Sequence, residues 1–157
     1  MDDAHAQLHD LIKDQRTCLL TTRRADGSLT SRPMACQDRE FDGTLWFFTE
    51  SGSDKVTEIS ADPHVNVSFP KEGAWVSIAG TAEVVRDAEK AKELWNDFAE
   101  AWFQTEPTDP KVALLKVDAD SAEFWDTPGK VGQLIGVVKA KVTGDQPDVG
   151  EAKTVEL

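Results

Sequence analysis

Between residues 4 and 15 the apolar positions Leu8, Leu11 and Ile12 recur at the spacing of one helix face, which predicts an amphipathic helix. The pattern then changes to strands over 17–22 and 30–36, on either side of Asp26-Gly27, a strong hairpin signal. A turn over 25–28 pairs Arg24 with Leu29, sets Cys18 opposite Ala35, and points Cys18 and Cys36 to opposite faces; a slip of one residue reverses that. After a second turn at Asp42-Gly43, residues 45–49 (Leu-Trp-Phe-Phe-Thr) read as a strand covered on both faces and running through the core. Ser53 precedes a short helix over 54–60 that Asp62-Pro63 should end.

Val65, Val67 and Phe69 alternate with polar residues, as do Val76, Ile78, Ala82 and Val84, giving two more strands. Asp87 suits the N-cap of a helix whose Ala91, Leu94, Trp95, Phe98 and Trp102 form one apolar face, ended by the Pro-containing stretch 105–110. Strands over 112–117 and 122–125 follow, separated by a bend at 118–120. Val131, Leu134, Ile135, Val138 and Val142 have helical spacing, although their valines also suit a strand. Residues 1–144 are expected to form a single domain, and 145–157 a loosely ordered tail whose Val155 and Leu157 dock on a neighbour. Six or seven short antiparallel strands with flanking helices favour a mostly β, small-barrel architecture over a doubly wound parallel sheet.

Composition narrows the partners. The 157 residues carry a net charge of −12, a field that repels nucleic-acid backbones and anionic lipid, so neither nucleic acid nor membrane is expected. The first residues lack a basic and apolar leader pattern, and no apolar run approaches the roughly 20 residues of a membrane span, which predicts a soluble, cytoplasmic protein. Cys18 and Cys36 form no CxxC pair and read as buried free thiols. His5 and His9 stand four apart with no third ligand beside them, so no metal site is assigned.

The chemistry concentrates in Ser31-Arg32-Pro33-Met34, Phe48-Thr49 and Ser53-Asp54-Lys55. A helix N-terminus offers unpaired N–H groups, Ser53 a hydroxyl, and Lys55 and Arg32 full charges, a set that suits a phosphate. The acidic bulk is screened beyond about 8 Å and hardly opposes such contacts. In the plainer alternative, Ser53 only caps the helix and Lys55 only faces solvent.

The order and spacing of these pieces resemble the pyridoxamine 5'-phosphate oxidase-like FMN-binding split barrels, and within them the bacterial general stress protein group. Further family-like stretches are Val65-Asn66-Val67-Ser68-Phe69, Ala101-Trp102-Phe103, Leu114-Leu115-Lys116-Val117 and Ala122-Glu123-Phe124-Trp125-Asp126. The resemblance implies a six-stranded antiparallel split β-barrel that forms a homodimer, with flavin held at the subunit interface. The cofactor would be FMN, with FAD left open. Arg32, Pro33 and Met34 would line the ribityl and ring side, Phe48 and Thr49 the isoalloxazine edge, and Ser53 with Lys55 the phosphate. Trp75 occupies the place of a flavin-contacting glutamine, and Trp125 resembles a tryptophan that reaches the flavin from the partner chain; Trp102 and Trp125 equally suit core aromatics. The oxidases hold their own substrate's phosphate with a tyrosine and several basic residues, whereas this chain has no tyrosine. The expectation is therefore a flavin-dependent oxidoreductase on an unidentified small substrate, not a pyridoxamine phosphate oxidase. The alternative is a non-enzymatic flavin-binding or stress-interaction module.

Overall fold

The computed structural model describes residues 3–71, 74–126 and 151–157. Strands β1 (Thr17–Arg23) and β2 (Leu29–Ala35) follow α1 (Asp3–Ile12) and are joined by a tighter loop than the sequence suggested. Arg24 N donates to Ser28 O at 2.8 Å, closing a three-residue loop in which Gly27 takes φ +87°. Such loops need a left-handed residue at this point, and glycine adopts it without steric cost. Asp26 Oδ1 accepts from the Ser28 amide and hydroxyl, which hold its carboxyl below the usual carboxylate range.

This turn corrects the expected register. Arg23 pairs with Leu29 and Cys18 with Met34, one residue away from the predicted Cys18–Ala35 pairing. Because side chains alternate with period two, the slip puts Cys18 and Cys36 on the same face rather than opposite ones. Cys18, Leu20 and Thr22 are buried along β1, so Arg32 and Met34, opposite Leu20 and Cys18, also point inward. Pro33 faces out, on a strand with a neighbour on one side only, where a missing N–H costs no ladder bond.

The remaining described elements are β3 (Thr44–Glu50), α2 (Asp54–Ala61), β4 (His64–Lys71), β5 (Ala74–Val85), α3 (Ala88–Leu94), α4 (Asp97–Phe103), β6 (Val112–Asp126) and β7 (Glu151–Glu156). The strands form one antiparallel sheet in the order β2-β1-β4-β5-β6-β3, with β7 added to β6. The path is not closed by hydrogen bonds: β2 and β3 are its two ends and meet only by contact, as in a split barrel. Leu20, Val67, Ile78, Leu115, Val117 and Phe124 fill the interior. No helix among the described residues is long and apolar enough to cross a membrane.

Four expectations change. The strands over 112–117 and 122–125 are one strand, β6, and the bend between them is a bulge, with pairing passing from Ala79–Ser121 to Gly80–Ala119. Backbone approaches Gly80 so closely that a Cβ there would run into the Asp118 carbonyl. The helix from Asp87 is two helices, because Trp95 is extended and the Asn96 side chain accepts from Ala99 N, starting α4 anew. Its supposed single apolar face divides accordingly: Ala91 is buried, while Phe98 and Trp102 are about 60% exposed and stack on each other at 6.3 Å. The core strand β3 is an end strand, covered on one face by the core and on the other by Trp95, between α3 and α4, and by Phe103 of α4.

The fourth change is at the C-terminus. Val155 and Leu157 pack against this chain's own core. β3 pairs with β6 only as far as Asp118, leaving the far half of β6 with an open edge, and β7 pairs there from Ser121 to Asp126. The helical spacing read over 131–142 lies outside the described residues, as does the start of the expected tail.

Candidate functional site

Two clusters of candidate residues emerge, one on the inner wall of the barrel and one on its rim. The wall is built by β1, β2 and α2. Arg32 sits opposite Leu20 on the inward face of β2, and its guanidinium donates from Nη1 to Thr22 Oγ1 at 2.7 Å and to Leu20 O at 3.4 Å. Nη2 donates to Glu58 Oε2 at 3.1 Å, and the Thr22 hydroxyl donates to the same carboxylate oxygen at 2.5 Å. These bonds close a ring in which Thr22 is fully buried, and Arg32 and Glu58 keep only 19% and 13% of their side-chain exposure. Among the described residues, Nε–H and one Nη2–H of Arg32 have no acceptor, since guanidinium carries five donors.

Thr22 and Glu58 were not singled out in the sequence. A signal was present for each: Thr22 falls on the inward-facing set with Cys18 and Leu20, and Glu58 stands three residues after Lys55, on the same helix face.

The rim is formed by the end of β3 and the start of α2. Thr49 is buried, and its hydroxyl lies 3.3 Å from that of Ser53. Ser53 occupies the N-cap position, yet its side chain makes no capping hydrogen bond, which leaves the hydroxyl turned toward Thr49 instead. Lys55 lies half-buried in the first turn and has no hydrogen bond or salt bridge among the described residues. Burial, and then the charge of Arg32, hold its ammonium below the ordinary lysine value, while Glu50, Asp54 and Glu58 pull the other way. The rim therefore combines two hydroxyls, a helix N-terminus and a cation with no salt bridge among the described residues, an arrangement that favours an incoming anion.

The other candidates lie elsewhere. Phe48 points away from Thr49, to the outside of β3, where it meets Trp95 edge-on at 5.2 Å and Phe103 at 6.4 Å. Trp75 pairs directly with Trp125 across β5 and β6, and Trp75 is 38% exposed. Along β6 this pair is twelve positions from Ala113, the partner of Thr49, or up to about 40 Å of strand. One chain thus carries the cationic rim and the tryptophan pair at well-separated places.

Fold and site together define an open antiparallel barrel with a cationic, hydroxyl-lined corner at a helix N-terminus. The family model described as "Pyridoxamine 5'-phosphate oxidase like" matches residues 3–148, and the chain belongs to that family. Among solved structures, a protein of Jannaschia sp. CCS1 described as general stress protein 26 is 32% identical, with a TM-score of 0.77 and full coverage of both chains. The general stress FMN/FAD binding protein of Xanthomonas citri is 29% identical, with a TM-score of 0.67 over 77% of this chain and 87% of its own. Protein bli-3 of Neurospora crassa is 29% identical over 168 residues, covering 99% of this chain and 80% of that protein.

Proposed function

We propose that the chain binds FMN between two copies of itself and serves as a flavin-dependent oxidoreductase on a small substrate. The carrying observation is Lys55, a half-buried ammonium with no ion-pair partner among the described residues, set beside the Thr49 and Ser53 hydroxyls. An anion supplies what that corner lacks, and a phosphate accepts from all three groups at once. Arg32 is already engaged by Glu58 and acts as a fixed wall, offering its remaining N–H donors with Met34 beside them. When bound, the flavin would supply hydride chemistry at its ring, and the protein would supply position and electrostatics.

Dimerisation supports the same reading. Trp75, Phe98 and Trp102 are large apolar groups left exposed. Cover by a second copy removes that surface from water and would bring Trp125 of one chain to the rim of the other. The family name and the FMN/FAD-binding name of the Xanthomonas protein favour flavin over other phosphate ligands.

A subunit-mixing experiment tests the whole proposal. Lys55→Ala and Trp125→Ala should each bind FMN weakly alone. Co-refolded together, they should regain tight binding at about a quarter of the wild-type sites, because half the dimers are mixed and each holds one intact cleft. Absence of any recovery in demonstrably mixed dimers rules out a cleft shared in this way. Wild-type affinity in Lys55→Ala itself removes the phosphate assignment and leaves a helix start facing solvent.

A further inference from the structure

The corrected register of the first hairpin brings its two thiols together. Cys36 N donates to Arg16 O at 2.9 Å, which continues the ladder one pair beyond Thr17–Ala35 and places Cys36 on the inward face next to Met34. Cys18, opposite Met34, is therefore its diagonal neighbour across the strands. Both side chains pack against the same core. Interaction with the Cys18 thiol holds Cys36 below the usual thiol range, while interaction with Cys36, and then burial, push Cys18 above it. Cys18 is 1% exposed, and its sulfur lies 3.8 Å from Met34 O, whereas Cys36 is only partly buried.

A cleft of about 50 Å³ reaches Cys36 from outside, between the end of α1 and the segment leading to β3. Lys13 and Arg39 line it, with Asp38 and Glu40 balancing their charge. One water needs about 10–15 Å³ of such space, so the cleft has room for a molecule as small as hydrogen peroxide.

We propose that Cys36 and Cys18 form a peroxide-reactive dithiol, in which Cys36 attacks hydrogen peroxide and buried Cys18 resolves the product to an internal disulfide. In the first step the Cys36 thiolate bonds to one peroxide oxygen and the O–O bond breaks. The departing hydroxide takes up a proton as water, leaving a sulfenic acid on Cys36. In the second step the Cys18 sulfur bonds to the Cys36 sulfur and the S–O bond breaks. The Cys18 proton leaves with that oxygen as a second water. The two thiols lose two electrons and two protons, and one peroxide becomes two waters. Cys36 stands one residue past the end of β2, at the last bond of the ladder, so the backbone shift a diagonal bridge requires falls at a strand end. The reaction uses none of the residues assigned to the phosphate.

The test treats the reduced full-length protein with equimolar hydrogen peroxide, then maps peptides by mass after thiol alkylation, so that oxidation of Met1 and Met34 is read separately. Both cysteines should lose their reactivity to alkylation together, in a species lighter by about 2 Da that dithiothreitol reverses. Cys18→Ala should stop at a dimedone-reactive Cys36, and Cys36→Ser should leave Cys18 reduced. Three wild-type outcomes overturn the proposal: thiols untouched by peroxide, a Cys36 oxyacid with Cys18 still alkylatable, or disulfides only between chains.

Discussion

Arg32 and Lys55 lie near enough for the charge of one to affect the other, yet the protein treats them in opposite ways. On the wall, Arg32 is ringed by Thr22, Glu58 and the Leu20 carbonyl, so its burial is matched by charge and hydrogen bonds. On the rim, Lys55 is half-buried with neither an ion pair nor a hydrogen bond among the described residues. A buried ion pair is costly to break from one side, because the remaining charge stays desolvated. A partly buried lone cation is mildly unfavourable until an anion arrives. The wall is thus organised for stability and the rim for binding, although both are built around α2.

The largest expected effect follows from breaking the wall. Glu58→Ala leaves Arg32 and Thr22 without their shared acceptor and should cost about 2–4 kcal/mol, read as a lower urea midpoint at unchanged slope. Lys55→Ala should leave the same midpoint within about 0.5 kcal/mol of wild type, since it removes no matched charge. Equal losses in the two variants would erase the distinction between wall and rim.

Binding should show the reverse order. Lys55→Ala is expected to weaken FMN binding by about 1.5–3 kcal/mol, roughly ten- to a hundredfold, as measured by titrating apo protein and following flavin fluorescence. Glu58→Gln should weaken it less, because Arg32 keeps the Thr22 hydroxyl and the Leu20 carbonyl as guides. A Glu58→Gln variant that binds worse than Lys55→Ala would move the ligand's charge from the rim to the wall.

The comparison also shows what the sequence could reveal. Helix α1, the strands apart from β7, and α2 were legible because their signals are local: period-two alternation, a turn glycine, a proline after a helix. Ser53, Lys55 and Arg32 were legible as chemistry, since charged and hydroxyl residues flank a predicted helix start. The hairpin register was not. It depends on whether Gly27 closes a loop of three residues or a turn spans 25–28, and both use the same Asp26-Gly27 signal. That single residue decides whether Cys18 meets Cys36. Thr22 and Glu58 each carried a local signal of facing, but their ring with Arg32 did not, because it joins β1, β2 and α2, which are distant in sequence and meet only once the sheet is assembled. β7 was hidden for a similar reason: the composition there reads as loose, and what β7 pairs with is an open edge of β6 that local pattern does not display.

The smallest effect, and the sharpest on the rim, is in pH. Burial and Arg32 lower the Lys55 value below the ordinary 10.5, so between those two points the unfolded chain holds more protons than the folded one. Stability from this group therefore rises with pH across that window, and the cost of confining the ammonium is fully present only below it. Binding runs the opposite way. A phosphate favours the charged amine and raises its value toward normal, so the free protein must take up a proton to bind within the window, and affinity falls as pH rises through it. Titrations of FMN from about pH 7 to 10 should show the advantage of wild type over Lys55→Ala shrinking steadily. Lys55→Arg should hold its advantage over the same range, because guanidinium does not titrate there. The ratio to Lys55→Ala cancels the ionisation of the flavin itself, so a ratio that stays constant for wild type would mean that the ammonium is not depressed and that the rim is solvated like any surface lysine.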